Sequence, residues 1–422
     1  MSIKQRKIIV VGGGPAGIFA AWCLSGAYEV HLFEQSSSLG RKILIAGKGG
    51  LNITNHSIQK IREAYTPAGF MDQALDVLDN EALRNWLHSI GIPTYIGSSG
   101  KVFPQQGIKA IEVVQKMTNA LVDRKVNIHL NHRLVGFTLQ NVFTFEMTDP
   151  KVAIKIKHSA DYCILALGGA SWPQTGSDGM WVNMFNENGI STLSFQPSNC
   201  GINIEWPTNI RQFHVGKPLK NITIKLVNGE EEAITPAKVQ MNEALITNDG
   251  LEGAAVYGIV PMLRSLFAAG NKAFISIDFK PQNTLDQLLK KIPGENPEII
   301  DSFGKQSKSK VPDYKNLLSL QTEHMALIKA FTPPDILHSK EKFCQTVKNL
   351  IIPVHSLRPL KEAISGVGGI STNDINENFS LKSNSSIFVI GEMVNWDAPT
   401  GGYLLQGCFS MAALVAHSIV TS

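Results

Sequence analysis

The sequence predicts an α/β fold whose main layer is a parallel β-sheet, and three observations support this prediction. An apolar strand at Lys7–Val11 runs into a glycine-rich turn, and an apolar helix follows at residues 18–24. A second apolar strand, Glu29–Phe33, comes directly after that helix. Apolar strands that end in glycines recur at residues 163–167 and 387–390. Strand–helix–strand order with short connections is typical of a parallel sheet that is covered by helices.

Length and changes of pattern predict several parts within the 422 residues. Domains usually contain roughly 100 to 200 residues, so two or three are expected. The pattern changes to short alternating runs after residue 195 and to helical periodicity after residue 282, and the last 60 residues or so return to an apolar strand and a long apolar helix. The predicted division is 1–195 for the first part of the main domain, 196–282 with 350–362 for an inserted β-rich domain, 283–349 for a helical subdomain, and 363–422 for the C-terminal part of the main domain.

Composition and charge narrow the classes of partner. Hydrophobic residues make up 43% of the chain and charged residues 18%, which indicates a globular protein with a large core. The formal net charge is +4, and the Lys and Arg residues are scattered, so neither a nucleic acid nor a membrane is predicted as a partner. No apolar run is expected to reach the ~18 residues of a membrane span, and cytoplasmic residence is therefore expected.

Cysteine spacing predicts neither disulfides nor a thiolate metal site. The five cysteines are an odd number and include no C-x-x-C pair. This fits a reducing compartment and argues against a dithiol relay beside a redox cofactor. No metal-ligand group and no Ser-His-Asp group can be assembled, so no metal site is predicted.

A glycine-rich turn follows the first strand. Gly12, Gly14 and Gly17 have the G-x-G-x-x-G spacing of a dinucleotide-binding loop between strand and helix. The first glycine permits the tight turn, the second lets backbone N–H groups approach a pyrophosphate, and the third allows close packing of helix on sheet. Glu34 ends the second strand, where a carboxylate can accept hydrogen bonds from ribose hydroxyls. The predicted contacts here are Gly12, Gly14, Pro15, Ala16, Gly17, Glu34 and Gln35.

The turn fits FAD and NAD equally well, so later segments have to distinguish them. Residues 40–55 place glycines, cations and side-chain amides after the ribose-binding strand, where an extended dinucleotide would run. Arg41 and Lys42 could neutralise phosphate, and Gly49 permits close approach of the backbone. Asn52 could hydrogen-bond a polar ring edge or a ribityl chain. An ordinary polar loop is the alternative interpretation.

A segment near the C-terminus suits a flavin. One strand ends at Gly391 and Glu392, and Gly401 and Gly402 open the final helix. Glu392 could contact the ribityl or pyrophosphate portion, and the helix N-terminus would place positive potential near the flavin N1/C2 edge, where the reduced ring carries negative charge. A glycine-capped helix with no ligand is the alternative interpretation of this segment. Gly168 follows the apolar strand at residues 163–167, and the glycines there could either return the chain to the dinucleotide cleft or form a structural turn. The predicted contacts from these later segments are Leu134, Gly168, Gly391, Glu392, Gly401, Gly402 and Tyr403.

Together these motifs resemble the BaiN-like (YhiN-type, aminoacetone-oxidase-type) family of NAD(P)/FAD-dependent oxidoreductases. The resemblance spans essentially the whole chain and rests on residues 12–17, 40–44, 52–55, 168–177, 366–370 and 391–403. It implies FAD as cofactor and a Rossmann-like, glutathione-reductase-like FAD-binding domain with an inserted β-barrel and a helical subdomain. Many relatives carry a glycine run and Arg-Cys-Asn where this chain has Gly-Lys-Gly-Gly-Leu-Asn at residues 47–52, so no role of that Arg or Cys is carried over.

The leading functional hypothesis is an oxidoreductase that transfers a hydride between FAD and a small organic substrate, with NAD(P)H as a candidate reductant. A flavin-binding redox sensor or electron-transfer module is the main alternative. An NAD-dependent dehydrogenase would bind no flavin, and an RNA-modifying flavoenzyme would need a basic surface that the charge pattern does not show. Asn395, Asp397 and Tyr403 lie near the predicted flavin but are equally explained as capping or turn residues, so no catalytic residue is assigned. Substrate identity and oligomeric state stay open.

Overall fold

The computed structural model describes residues 6–47, 50–148, 154–228, 241–292 and 313–422. The chain divides into two compact units: a main unit, Met1–Asn199 with Pro359–Ser422, and an inserted unit, Cys200–Arg358. The boundaries predicted for the insertion, 195/196 and 362/363, lie four residues from these. The predicted helical subdomain and β-rich domain both fall within the inserted unit.

The strands, numbered in chain order, are β1 Lys7–Val11, β2 Glu29–Phe33, β3 Thr54–Asn55, β4 Thr94–Ile96, β5 Lys101–Pro104, β6 Asn127–His129, β7 His132–Thr138, β8 Val142–Met147, β9 Lys155–Ser159, β10 Tyr162–Leu165, β11 Thr192–Pro197, β12 Ile202–Asn203, β13 Pro218–Val227, β14 Asn242–Ile246, β15 Gly250–Glu252, β16 Ala273–Asp278, β17 Leu350–Val354, β18 Ser356–Leu357, β19 Gly366–Ile370, β20 Ser380–Leu381 and β21 Asn384–Val389.

The α-helices are α1 Pro15–Leu24, α2 Arg41–Ala46, α3 Ile58–Glu63, α4 Asp72–Val77, α5 Asn80–Ser89, α6 Ala110–Asp123, α7 Val182–Glu187, α8 Thr208–Phe213, α9 Ala254–Tyr257, α10 Val260–Ala268, α11 Leu285–Lys291, α12 Tyr314–Leu317, α13 Thr322–Phe331, α14 Lys340–Lys348 and α15 Tyr403–Val420.

The main unit is built on a six-stranded sheet in the order β20-β21-β10-β1-β2-β6. Every neighbouring pair is parallel except β20 with β21. In β1, Ile8 to Val11 are all buried, which is the continuous apolar pattern of a parallel strand covered on both faces. Helix α1 packs against this sheet, and α6 and α15 pack against α1. The parallel α/β fold predicted from the sequence is confirmed.

Three smaller sheets complete the main unit: β3-β5-β4, β7-β8-β9 and β11-β19. Strand β7 does not extend the parallel sheet: it turns away after β6 and pairs antiparallel with β8. Residues 72–89 form two helices, α4 and α5, because Asp79 caps α5 by accepting a hydrogen bond from the backbone N–H of Ala82.

The inserted unit contains a seven-stranded antiparallel sheet in the order β17-β16-β13-β14-β15-β12-β18. Its two edge strands, β17 and β18, are separated in the chain by His355 alone. The sheet therefore curls until its first and last strands are neighbours, which is the barrel-like curvature expected for the insertion. Helices α8 to α14 belong to the same unit.

One described helix, α15, is long and apolar enough to cross a membrane, so the expectation that no apolar run reaches that length needs correction. However, 67% of the helix is buried inside the structure. A core helix of a water-soluble protein meets the same criteria, which makes this weak evidence for a membrane span.

Candidate cofactor site

A cavity of about 770 Å³ lies at the carboxyl edge of the parallel sheet, and all of its lining residues belong to the main unit. Residues at or just after the ends of four neighbouring strands line it: Val11, Phe33, Ala166 and Ile390. The carboxyl edge of an open parallel sheet is where ligands bind in such folds, and the volume lies within the usual range for small-molecule and cofactor sites.

The glycine turn adopts a conformation that requires glycine at two of its three motif positions. Gly12 has φ +110°, and a Cβ there would lie 2.2 Å from the carbonyl oxygen of Ala166. A Cβ on Gly17 would lie 1.9 Å from the carbonyl oxygen of Gly12, so Gly17 serves the close packing of α1 on the turn. Gly14 differs, because no atom lies within 4 Å of the position of its Cβ. That open space belongs to the cavity, at the uncapped N-terminus of α1.

Glu34 is fixed by two backbone N–H groups. Its Oε2 accepts from Gly13 at 2.6 Å and its Oε1 accepts from Ser36 at 2.7 Å. A carboxylate has about four acceptor positions, so the group can still accept from ribose hydroxyls.

Arg41 and Gln35 contact the loop between β10 and α7. The Arg41 guanidinium donates to Ser36 Oγ at 3.2 Å and to the carbonyl oxygen of Gln174 at 3.1 Å, and Gln35 Nε2 donates to that of Gly176 at 2.5 Å. Both side chains therefore hold in place a loop that lines the cavity. The sequence predicted Arg41 as a partner for phosphate but did not predict this contact with the loop.

Lys42 and Glu392 form an ion pair in the wall of the cavity. Lys42 Nζ lies 2.6 Å from Glu392 Oε2 and 2.7 Å from Ser171 Oγ. The two charged side chains are 26% and 15% exposed, respectively, so the attraction is screened less than at an open surface. The pair joins helix α2 to the end of β21 and neutralises the Glu392 carboxylate.

The other end of the cavity contains a polar atom that the protein itself leaves unpaired. Asn52 lines the cavity, and its Oδ1 is buried without a hydrogen-bond partner among the described residues. Gly401 and Gly402 lie beside it with φ of +136° and +89°. A Cβ at Gly402 would lie 2.5 Å from the backbone nitrogen of Thr54. Helix α15 begins here, and no side chain caps its N-terminus.

These features fit FAD. An extended, anionic dinucleotide with a polar ring needs positive helix ends, room beside the pyrophosphate, a carboxylate for the ribose and a polar partner for the ring. The cavity offers the uncapped N-termini of α1 and α15, the open space at Gly14, Glu34 and the unpaired Asn52 oxygen. The residues that would hold it are Gly12 to Ala16 for the pyrophosphate, Glu34 for the ribose, and Asn52 with residues 400–402 for the ring.

The cysteine at this site is not suited to thiolate chemistry. Cys408 lines the cavity, but burial and the nearby Glu392 carboxylate raise the pKa of its thiol far above the usual range. All five cysteines are free, and burial also raises the pKa of the other four. Within the described residues no group of three or more His, Cys, Asp or Glu side chains could hold a metal ion, although His129 and His132 have an H-x-x-H spacing.

Most of the predicted contact residues come together in this cavity. Those that line it are Gly12, Gly14, Pro15, Ala16, Glu34, Gln35, Arg41, Lys42, Asn52, Leu134, Gly168, Gly391, Glu392, Gly401 and Gly402. Gly17 and Tyr403 do not line it, and Gly49 lies outside the described residues. The Tyr403 hydroxyl accepts from Asn55 Nδ2 at 3.4 Å, and burial raises its pKa.

Several lining residues were not predicted. Leu404, Leu405 and Cys408 follow helical spacing after Gly402, a signal that would have found them. Met180 and Trp181 also line the cavity, but nothing in their local sequence indicates this.

The fold is that of a Rossmann-class protein, and its cavity suits a dinucleotide. The model of the HI0933-like protein Rossmann domain family matches residues 6–418, and the chain belongs to this family. It is an FAD-dependent oxidoreductase, as the resemblance implied.

The chain is similar to curated proteins and to solved structures over nearly its whole length. The chain is 21% identical to the 3-dehydro-bile acid delta(4,6)-reductase of Clostridium scindens, over 98% of this chain and 99% of the relative. It is also 21% identical to the ribosomal RNA dihydrouridine synthase of Escherichia coli, over 100% and 99%. Among solved structures, the 3-ketosteroid-delta4-(5alpha)-dehydrogenase of Rhodococcus jostii RHA1 is similar, with a TM-score of 0.51, 15% identity, and coverage of 98% of this chain and 96% of that one. The last likeness concerns the fold alone.

Proposed function

We propose that this protein is an FAD-dependent reductase of a carbon–carbon double bond conjugated to a carbonyl group in a small organic molecule. The observation that supports the reaction class most directly is a shared feature of two full-length relatives with different substrates. One is named for reduction of the 4,6-diene of a 3-oxo bile acid, and the other for dihydrouridine, which is uridine with its 5,6 bond saturated. In both, the reduced bond is conjugated to a carbonyl.

The cavity is consistent with this chemistry. FAD, when bound and reduced, supplies a hydride equivalent. Bound in this cavity, the reduced cofactor would supply that hydride to the β-carbon of the unsaturated carbonyl compound, and the α-carbon would take up a proton from solvent. The protein's own residues bind and orient: the α1 N-terminus and Glu34 hold the dinucleotide, and the α15 N-terminus presents backbone N–H groups at the ring end.

The cysteines disfavour electron transfer from the flavin through a redox-active cysteine pair of the protein. Cys408 is the one cysteine that lines the described cavity, and burial raises the pKa of its thiol. Electrons from the reduced cofactor would therefore pass to an exogenous acceptor, with NADH or NADPH as the candidate donor.

The test begins with the visible spectrum of the purified protein supplied with FAD. The enzyme is then reduced anaerobically with NADH, NADPH or dithionite, and a 3-oxo-4-ene steroid or the matched saturated ketone is added. We expect the unsaturated ketone to restore the oxidised flavin spectrum and to gain two mass units, and the saturated ketone to do neither.

An unmodified uridine-containing RNA forms the second arm of the experiment. Reoxidation by RNA alone would retain the reaction class and replace the small molecule as substrate. Reduction of the oxidised flavin by amines, with no response to either unsaturated substrate, would refute the proposal. The absence of any flavin spectrum would refute the cofactor assignment itself.

A further inference from the structure

The segment that leads into α15 is held by one buried side-chain amide. Asn199 is 1% exposed and ends the first part of the main unit. Its Nδ2 donates to the carbonyl oxygen of Ala398 at 2.8 Å, and its Oδ1 accepts from the backbone N–H of Thr400 at 3.0 Å. Because a carbonyl can only accept and an N–H can only donate, these two partners fix the orientation of the amide.

Asn199 is itself held in place by the segment just before β19, where the chain returns to the main unit. Its Nδ2 also donates to Ser365 Oγ at 2.7 Å, and Ser365 is fully buried. The backbone N–H of Ile364 donates to the Asn199 carbonyl oxygen at 2.8 Å, and that of Ser198 donates to the Ser365 carbonyl oxygen at 3.0 Å. The amide therefore has all its principal hydrogen-bonding positions satisfied on a rigid base.

The segment that Asn199 holds needs an external support. Thr400, Gly401 and Gly402 line the cavity, and both glycines have positive φ. Glycine has more backbone freedom than any other residue, so a glycine pair does not hold one conformation by itself. On one side the segment packs against the backbone of Thr54, and Asn199 bonds to the residues immediately before the glycines.

We propose that Asn199 is a positioning residue for the redox cofactor. It does not line the cavity, and it acts through residues 398–402, which set where the N-terminus of α15 points. The positive end of this 18-residue helix faces the cavity and favours the negative charge of a reduced flavin ring. This inference rests on the assignment of the cavity to FAD and is independent of the substrate.

The experiment compares Asn199→Ala with Asn384→Ala. Asn384 makes a similar pattern of bonds at the start of β21, away from the cavity: it donates to the carbonyl oxygen of Leu139 at 2.8 Å and accepts from the backbone N–H of Ser386 at 2.8 Å. For each variant we would measure FAD affinity, the thermal midpoint of the apoprotein, and the two-electron midpoint potential at saturating FAD. No substrate is present, so failure of the proposed reaction would not affect the result.

For Asn199→Ala we expect an FAD dissociation constant about tenfold higher. We also expect the midpoint potential to fall by about 30 mV, which for a two-electron couple is a tenfold change in the ratio of oxidised to reduced flavin. For Asn384→Ala we expect a lower thermal midpoint, with affinity and potential within twofold of the wild type. Ser365→Ala removes one of the three partners of the Asn199 amide and should shift the potential in the same direction by less.

An unchanged potential in Asn199→Ala would show that the residue is merely structural and would overturn the inference. An equal shift in Asn384→Ala would do the same, because the effect would then not depend on the α15 segment. If Asn199→Ala does not fold, Ser365→Ala decides: a lower thermal midpoint with a wild-type potential would refute the role. If the wild-type protein binds no FAD, the inference fails together with the cofactor assignment.

Discussion

Replacing the glycines of the first turn one at a time should separate folding from cofactor binding. In Gly17→Ala the new Cβ would lie 1.9 Å from the carbonyl oxygen of Gly12. An ordinary carbon–oxygen contact is more than 1 Å longer, and both atoms belong to rigid elements, so α1 must move away from the turn. Overpacking typically costs 1–3 kcal/mol, and a backbone-to-backbone clash lies at the upper end, so we expect a loss of about 3 kcal/mol in the free energy of unfolding of the apoprotein.

The matched variant is Gly14→Ala. Gly14 has φ −79° and ψ −178°, which alanine adopts readily, and nothing lies within 4 Å of the added Cβ. Alanine is a poorer N-cap than glycine, which costs about 0.5–1 kcal/mol, and the lower entropy of the unfolded chain returns about 0.4–1 kcal/mol. The apoprotein should therefore stay within about 0.5 kcal/mol of the wild type. The methyl group nevertheless occupies the space where the backbone approaches the pyrophosphate, so FAD affinity should fall at least tenfold, or about 1.4 kcal/mol.

Urea unfolding of the apoproteins, followed by tryptophan fluorescence, measures the first quantity, and quenching of free flavin fluorescence measures the second. The expected pattern is a large loss of stability in Gly17→Ala and a selective loss of FAD affinity in Gly14→Ala. The reasoning would be refuted if Gly14→Ala unfolded as readily as Gly17→Ala, or if it bound FAD as tightly as the wild type.

Three further predictions concern single side chains. Lys42→Met should leave the Glu392 carboxylate unpaired, so FAD affinity should fall about tenfold by fluorescence titration, and adding Glu392→Gln should restore part of it. Asn52→Ala should leave the urea midpoint of the apoprotein unchanged but weaken FAD binding, because Oδ1 has no partner in the described protein. Burial and neighbouring imidazoles lower the pKa of His129 to about 4. The unfolded chain therefore binds a proton near pH 6.5 that the folded protein does not bind until about pH 4. The free energy of unfolding should fall by about 1 to 2 kcal/mol between pH 6.5 and pH 4, after allowance for solvent screening. In His129→Phe the urea midpoint should depend less on pH.

The parts of the site that could be predicted from sequence are those whose constraints are local. Gly12 and Gly17 contact each other within one turn of chain, and Glu34 lies one strand further on. Strand, turn and helix are each specified by neighbouring residues, so their spacing carries the structural information. The apolar strand before Gly391 and the helix after Gly402 are recognisable for the same reason.

The parts that could not be predicted depend on contacts between distant segments. Lys42 has the charge and position of a phosphate partner, yet its ammonium group pairs with Glu392, which is 350 residues away in the chain. Asn199 was not singled out from the sequence, and only the fold brings its amide to Thr400, which is 201 residues away. Sequence alone lists the charged and amide groups that are present, but pairing among them is a property of the tertiary structure.

The uncapped N-termini of the two helices that open into the cavity, α1 and α15, support its assignment to an anionic ligand. Helices α3 and α5 begin with Ser57 and Asp79, whose side chains accept hydrogen bonds from the first turn. By contrast, α1 and α15 begin with Gly14 and Gly402, which offer no such acceptor, and both open into the same cavity. Glycine is a weaker N-cap than Ser or Asp, and it leaves the helix N–H groups free for an external acceptor. The unpaired oxygen of Asn52 lies at the same end of the cavity as the N-terminus of α15. The apoprotein therefore retains unsatisfied polar groups where an anionic dinucleotide would satisfy them. Binding of the dinucleotide should raise the free energy of unfolding for this reason.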